Sequence, residues 1–168
     1  TEVFGSRGVV QRCQVHKRRN VLGHLPERLH ASVDKALRDA WDLDSADRAV
    51  RVLERLAASL ERDHPGAAAS IREGLHETLT VQRLGLTGAL QRTLRSTNII
   101  ENLNGSVEHY TRNVKRWRGG HMIQRWVASA LVEGEKHFRR VRGYRDLPRL
   151  LTALDAVAPP VGAVADVA

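Results

Sequence analysis

Apolar residues recur every three to four positions through the middle of the chain, which is the spacing of an amphipathic α-helix. Three such stretches follow one another, with a helix cap at Ser45 and breaks at Pro65 and Gly85. The third is predicted to run from Ala67 to Leu84. The apolar stripes are Leu29, Val33, Leu37 and Trp41, then Val52, Leu53, Leu56 and Leu60, then Ile71, Leu75 and Leu79. Because these stripes can pack together over short connections, the pattern predicts a small helical bundle.

The N-terminal part shows a different period. Residues 9–16, VVQRCQVH, place side chains alternately on two sides, which predicts a short strand and the only one in the chain. The basic continuation, KRRNVLGHLP, predicts a short helix that Gly23 and Pro26 close.

After Gly85 the pattern is helical again. A helix is predicted to start after a cap at 96 or 97, and the glycines at 119–120 end it. A second helix is expected over 121–141 and a short one after Asp146. The remainder, 156–168, has two prolines and small side chains and is expected to be a flexible tail.

Charge changes this picture from a plain helical bundle to a candidate binding protein. The chain has 27 Lys and Arg against 19 Asp and Glu, a formal net charge of +8. The surplus lies in 1–24 and 105–149, around a nearly neutral middle. Two basic blocks favour a surface that faces a polyanion such as nucleic acid. Ordinary solvated helix faces are the alternative.

Several classes of protein can be set aside on residue grounds. No run of about 18 uncharged apolar residues occurs, and no secretory signal is apparent, so we expect no membrane association and a soluble cytoplasmic protein. A single cysteine agrees with a reducing compartment. No Gly-x-Ser-x-Gly elbow and no glycine-rich phosphate loop is present, which argues against hydrolase and nucleotide-binding functions.

Cys13 and His16 have the spacing of half a metal site. A zinc site needs about four ligands, and no second Cys/His pair follows at a suitable distance. The alternative is that Cys13 fills part of the core while His16 forms a local hydrogen bond.

The segment from Ser96 to Asn104 carries the most informative polar pattern. On a helix, Asn98, Glu101 and Asn104 fall on one face, so that two amides bracket a carboxylate. Such a face can hold a hard divalent cation or contact sugar and phosphate. It can equally be a solvated face on which Glu101 interacts with the helix dipole. Arg112, Lys115, Arg116 and Arg118, interleaved with Trp117, follow the carboxylate, as cutting of a phosphodiester would require.

Taken together, QRCQVHKRRNVL, RSTNIIENLN and TRNVKRWRGG resemble the C-terminal half of bacterial Mutator-type insertion-sequence transposases. The resemblance extends over roughly Thr1 to Leu154 and rests on separate motifs in the same order. It implies a ribonuclease-H-like catalytic core, in which an Asp-Asp-Glu set holds two Mg²⁺ ions, and an all-helical domain inserted before the Glu. Its implied activity is cutting and joining DNA at the terminal inverted repeats of an insertion sequence.

Residue by residue, the resemblance assigns Glu101 as the catalytic and metal-binding Glu. Thr97, Asn98 and Asn104 belong to the same motif, and Cys13 and His16 match the Cys-x-x-His element of the core. In the family both catalytic aspartates precede that element, but no Asp lies among the twelve residues before Cys13. Since one Glu cannot fix two metal ions, we expect a truncated transposase that is inactive alone and does not bind Mg²⁺ stably.

The expected fold is mainly α: a helical insertion domain plus the C-terminal remnant of a ribonuclease-H-like core with one short residual strand. The expected domains are 1–24 (core strand and Cys-x-x-His element), 25–92 (helical insertion), 93–154 (Glu-bearing helix and basic helices) and 155–168 (flexible tail). The residues expected to bind DNA are Arg112, Lys115, Arg116, Arg118, Arg139, Arg140 and Arg142.

Two other functions remain open from the sequence. One is a non-catalytic helical module that binds DNA or modulates transposition, either as a homo-oligomer or by pairing with a full-length transposase. The other is a stand-alone metal-dependent nuclease, which is disfavoured because no second acidic residue is placed beside Glu101.

Overall fold

Helices account for most of residues 8–157, the part of the chain that this computed structural model describes. These residues divide into two compact units, 8–96 with 143–157 and Thr97–Arg142. The mainly α prediction is therefore confirmed. Among the described residues, no helix has both the length and the apolar character needed to cross a bilayer. The α-helices are α1 (Gln14–Gly23), α2 (Glu27–Trp41), α3 (Ala46–Leu60), α4 (Pro65–Arg72), α5 (Thr80–Arg83), α6 (Gly88–Leu94), α7 (Asn98–Thr111), α8 (Gly119–Glu135) and α9 (Leu147–Val157), with short 3-10 helices at His76–Leu79 and Tyr144–Asp146.

The first two predicted bundle helices form as expected, as α2 and α3. The Ser45 Oγ accepts a hydrogen bond from the Arg48 N–H at 3.3 Å and caps α3, which satisfies one donor of the first turn. The apolar stripes of both helices face the core, where Leu37 and Leu53 are fully buried. Pro65, which ends the preceding connection, occupies the first position of α4.

The predicted single helix over 67–84 is wrong in its middle. After α4 the backbone leaves the helical conformation, and Gly74 adopts a left-handed conformation with φ of 62°. The chain then continues through the 3-10 helix and α5. The apolar stripe survives the break, since Ile71, Leu75 and Leu79 are all buried. Periodicity thus identified the buried positions but not the turn between them.

The predicted strand over 9–16 is also wrong. Residues 8–13 have no regular secondary structure, α1 starts at Gln14, and no strand occurs in the described residues. The buried positions of α1 are Gln14, Lys17 and Val21, which follow helical spacing. The short helix predicted from Lys17 is confirmed as most of α1, but its first turn was missed because the buried residues Gln14 and Lys17 are polar and residues 9–16 alternate.

The segment before α1 forms its hydrogen bonds with helix ends rather than with a strand. The Arg12 N–H donates to the Glu77 carbonyl at 3.0 Å. The Gln11 side chain donates from Nε2 to the Thr78 carbonyl at 3.0 Å and accepts at Oε1 from the Val81 N–H at 2.9 Å. One glutamine thereby satisfies both a carbonyl and an N–H where the 3-10 helix meets α5.

A buried lysine holds α1 against the end of α4. Lys17 Nζ donates to the Ser70 and Glu73 carbonyls at 2.8 and 2.6 Å and lies 3.1 Å from Glu73 Oε2. Arg12 binds the same carboxylate through Nη1 at 2.9 Å. Hydrogen bonds from Arg12 and then Lys17 lower the pKa of Glu73. The carbonyls at the end of α4 are thus satisfied by a cation, which also suits the negative end of the helix dipole.

The second unit contains α7 and α8 and buries far less. No residue of α7 is buried, and Ala130 and Gly134 are the buried positions of α8. The helices approach closely at Gly134, where an added Cβ would lie 3.8 Å from the Ser106 Cβ. α8 ends at Glu135, before the predicted limit, because the next amides bond three residues back and tighten the chain into a turn.

The predicted short helix after Asp146 forms as α9, within the first unit. Residues 155–157 of the predicted tail 155–168 belong to α9, and residues 158–168 lie outside the described part of the chain. The turn before α9 depends on Gly143, whose φ is 79°. A Cβ there would lie 2.3 Å from the backbone nitrogen of Leu90.

Candidate functional site

The carboxylate of Glu101 is presented by the first turn of α7. The Glu101 N–H donates to the Thr97 carbonyl at 2.8 Å, which begins the helix. The Thr97 Oγ1 donates to Glu101 Oε1 at 2.5 Å. This side-chain bond restrains the carboxylate, and the exposed position of Glu101 leaves it accessible to a ligand.

The polar face predicted around Glu101 is present. Asn98, Glu101 and Asn104 all belong to α7 and are exposed. At 3.6 residues per turn they span about 120° of the helix circumference. An added Cβ at Gly105, one turn beyond Glu101, would have no neighbour within 4 Å. The face is therefore open, and amide and carboxylate oxygens could meet one large polar ligand.

The described residues do not fit a pair of divalent ions. Two-metal sites need several carboxylates around ions about 4 Å apart, whereas the described residues contain no group of three His, Cys, Asp or Glu that could hold an ion. The other acid of α7, Glu108, lies seven residues or about 10 Å along the helix. Glu101 alone could supply one ligand of such a site.

The connection between α7 and α8, residues 112–118, is termed the basic loop. Arg112, Lys115, Arg116 and Arg118 are all exposed in it. None of these four forms an ion pair with a described carboxylate. Trp117 lies between two of the arginines and is 44% exposed. The loop is therefore a run of uncompensated positive charge with one exposed aromatic ring.

Many basic residues of the first unit, unlike those of the basic loop, form ion pairs with acidic residues. Lys35 pairs with Asp39 at 2.5 Å, and Arg95 pairs with Asp42 at 2.7 Å. The other bases of this unit with a described ion pair are Arg12, Lys17, Arg18, Arg38, Arg62 and Arg72. Much of the positive charge of the first unit is thus used internally, which leaves less for an external polyanion.

The remaining predicted DNA-binding residues follow α8. Arg139, Arg140 and Arg142 are exposed in the segment between α8 and the 3-10 helix, in the same unit as Glu101. Arg112, by contrast, is eleven residues from Glu101 along α7, about 16 Å at 1.5 Å per residue. The carboxylate and the start of the basic loop therefore lie at opposite ends of one helix.

Cys13 and His16 lie in the first unit, at the start of α1. Cys13 is the N-cap residue and half-buried, whereas His16 is exposed in the first turn. The helical conformation, rather than a strand, brings these positions one turn apart. Glu101 belongs to the other unit.

Two features of the site do not follow readily from the sequence: the exposure of Trp117 and the difference between paired and unpaired basic residues. Trp117 lies among the basic residues in the sequence, but its exposure does not follow from the sequence because tryptophan is more often buried than exposed. The distinction is between paired and unpaired bases, such as Lys35 and Lys115. The sequence signals for it are Asp39, four residues after Lys35 on the same helix, and the absence of an acidic residue from 109–132, around the basic loop.

The chain is similar to several transposases of insertion sequence elements. The chain is 28% identical over 140 residues to the transposase for insertion sequence element ISRM5 of Rhizobium meliloti (strain 1021), which covers 83% of this chain and 35% of that protein. It is 29% identical over 105 residues to the transposase for IST2 of Acidithiobacillus ferrooxidans, which covers 62% and 35%. For the transposase for IS6120 of Mycolicibacterium smegmatis, the identity is 30% over 105 residues, covering 62% and 32%. No solved structure matches significantly.

The chain thus spans about a third of the length of the curated relatives it matches. The profile of the family described as "Transposase, Mutator family" matches residues 2–141, from before α1 to beyond α8. That match includes Glu101, its amide neighbours and the whole basic loop. Since the profile covers well over half of the sequence, the chain belongs to the Mutator family of transposases.

Proposed function

We propose that this chain is a C-terminal portion of a transposase and that its basic loop holds the DNA backbone during transposition. One observation carries the proposal: Arg112, Lys115, Arg116 and Arg118 are exposed and form no ion pair with a described carboxylate. Arginine and lysine in such positions release counterions when they neutralise phosphates. The relatives named above are transposases for insertion sequence elements, which supports DNA as the polyanion. The terminal inverted repeats are the proposed target, and we propose that Arg139, Arg140 and Arg142, which follow the other end of α8, contact phosphates separately from the basic loop.

The test compares two triple variants of equal charge change. In the first, Lys115, Arg116 and Arg118 are replaced by alanine. The control replaces Lys35, Arg38 and Arg62, which are exposed but paired with acids. Binding to a duplex is measured by anisotropy across a salt series. Each phosphate contact contributes about 0.9 to the slope of log affinity against log salt concentration. Loss of three contacts should therefore lower the magnitude of that slope by about 2.7. The control should leave the slope unchanged. Equal effects of both variants would show that only net charge matters and would refute the assignment to the basic loop.

For Glu101 we propose the role of the metal-binding glutamate of an Asp-Asp-Glu set within a ribonuclease-H-like core. Its exposed carboxylate, fixed by Thr97 and bracketed by Asn98 and Asn104, supports this role. Because the described residues contain no group of three His, Cys, Asp or Glu that could hold an ion, we propose that the chain is inactive alone and holds Mg²⁺ only together with further acidic ligands. We also propose the domain limits 1–24, 25–92 and 93–154 and the assignment of Cys13 and His16 to the catalytic core; residues 155–157 belong to α9 and not to a separate tail.

Cleavage assays test the proposed inactivity. Purified chain is incubated with inverted-repeat DNA in Mg²⁺ or Mn²⁺, beside a Glu101→Gln variant. We expect no strand cutting by either protein. Cutting that disappears with Glu101→Gln would show that the chain assembles an active site by itself, as a stand-alone nuclease would.

A second candidate function is a non-catalytic module that modulates transposition by pairing with a second copy or with a full-length transposase. The favouring observation is that Ile100, Val132 and Phe138 of the second unit are more than half exposed. If these side chains form one patch, they would offer an apolar surface for another protein to cover. Light scattering across a concentration series, with and without a full-length relative, would detect this pairing. A monomer that does not bind the relative would exclude it.

A further inference from the structure

Trp117 is placed unlike the other tryptophans of the chain. Trp41 is buried, and its Nε1 donates to the Thr78 Oγ1 at 3.3 Å. Trp126 is exposed on α8, three residues from Ile123 and so on a face with another apolar side chain. Trp117 is 44% exposed outside any helix, and its sequence neighbours on both sides are arginines. Its ring forms no hydrogen bond and no ring contact with a described residue.

The local backbone presents this ring instead of folding it inward. Arg118 is extended, with φ of −111° and ψ of 94°, and it is the N-cap residue of α8. Its N–H donates to the Met122 sulfur at 3.4 Å, which ties the end of the basic loop to the first turn of α8. Gly119 follows with φ of 70°. The ring is therefore carried by a segment that is anchored at its C-terminal side.

Exposed aromatic rings among unpaired cations are the elements from which single-stranded nucleic-acid sites are built. The cations hold the phosphates, and the ring stacks on a base, which is possible only for a base that has left the duplex stack. A fully paired duplex offers Trp117 no base face between its stacked pairs. An apolar protein partner is disfavoured, because Lys115, Arg116 and Arg118 would have to be desolvated without acidic partners.

We propose that Trp117 stacks on an unpaired DNA base while Lys115, Arg116 and Arg118 of the basic loop bind the adjacent phosphates. This inference rests on the proposed DNA-binding function of the loop and adds the form of DNA that is recognised. The class of ligand is DNA with at least one extrahelical nucleotide, as occurs at a distorted or frayed end.

The experiment uses the full chain and three duplexes of one sequence: fully paired, with one bulged thymine, and with an abasic site at the bulge. Wild-type protein should bind the bulged duplex about 5- to 150-fold more tightly than either other duplex, the range measured for loss of a stacking aromatic. The Trp117→Ala variant should bind the bulged duplex no more tightly than the abasic duplex. Trp117→Phe should retain part of it, because a smaller ring still stacks.

Trp126→Ala is the matched control and should keep the full preference, since that ring has no place in the basic loop. Circular dichroism verifies that each variant is folded. If wild-type protein binds paired and bulged duplexes equally, or if Trp117→Ala keeps the preference, the stacking role is wrong while the proposed DNA contact stands. If no duplex is bound in a salt-dependent way, both proposals fail.

Discussion

Replacing Lys17 by methionine isolates the contribution of its ammonium group, because the apolar stem keeps nearly the same volume. Lys17 is 4% exposed and donates to the carbonyls of Ser70 and Glu73. Methionine leaves both acceptors at the end of α4 without their donor. The Glu73 carboxylate is 62% exposed and regains water, so it adds little to the loss.

The expected magnitude follows from these two bonds. A hydrogen bond to a charged group contributes about 1.5–3 kcal/mol, and the two are not additive. Since water can reach the Glu73 carbonyl more easily than the buried Ser70 carbonyl, we expect Lys17→Met to lower the free energy of unfolding by about 3 kcal/mol. Lys17→Ala removes three further methylene groups from the core and should cost about 2 kcal/mol more.

Urea unfolding followed by far-UV circular dichroism measures both losses from the midpoint at constant m-value. Lys35→Met is the matched control, because Lys35 is 70% exposed and has one surface partner, Asp39. The control should change stability by less than about 0.5 kcal/mol. A Lys17→Met loss below about 1 kcal/mol, or equal to that of the control, would refute the claim that this ammonium satisfies the end of α4.

Three other outcomes are expected. Hydrogen bonds from Arg12 and Lys17 lower the folded-state pKa of Glu73, so this carboxylate stabilises the fold at neutral pH, and that contribution is lost as the pH falls below 4.5. Glu73→Gln should weaken the acid dependence of the unfolding midpoint between pH 6 and about 3, and an unchanged dependence would contradict the pairing. Gly143→Ala, with a Cβ 2.3 Å from the Leu90 nitrogen, should destabilise by more than about 1 kcal/mol in the same urea assay, whereas Gly23→Ala, with no neighbour, should not. The Arg12 amide, bonded to a carbonyl of the 3-10 helix, should exchange slowly with solvent deuterium, which a mobile N-terminal segment would not permit.

α3 could be predicted because its buried residues are apolar and its cap is local: Ser45 lies just before its first turn, and Leu53 and Leu60 follow the helical period. In α1 the sequence predicted the helix from Lys17 on but missed the first turn, because Gln14 and Lys17 are buried through partners 53 to 64 positions away. No local pattern distinguishes such a lysine from an exposed one.

The same reason limits prediction of the site. The order of Glu101 and the basic residues is a property of the sequence, but pairing of charges is a property of the fold. No local pattern separates Arg95 from Arg116, and only the structure shows that Arg95 is paired with Asp42, 53 positions away, whereas Arg116 forms no ion pair with a described carboxylate. Net charge predicts a polyanionic partner, and the unpaired basic residues give the proposed place of contact.

Helix α7 separates Glu101 from the basic loop, and its length determines which phosphates the two could contact. Glu101 and Arg112 are separated by about 16 Å of helix, and successive nucleotides of one DNA strand rise about 3.4 Å. A strand that passes Glu101 and follows α7 would therefore reach the basic loop about five nucleotides from the phosphate at Glu101. Basic side chains that far from the bond to be cut can bind the DNA backbone strongly without neutralising the charge on the reacting phosphate. Their loss should therefore weaken DNA binding, whereas loss of Glu101 should act on cutting in an assembled transposase and leave binding nearly intact.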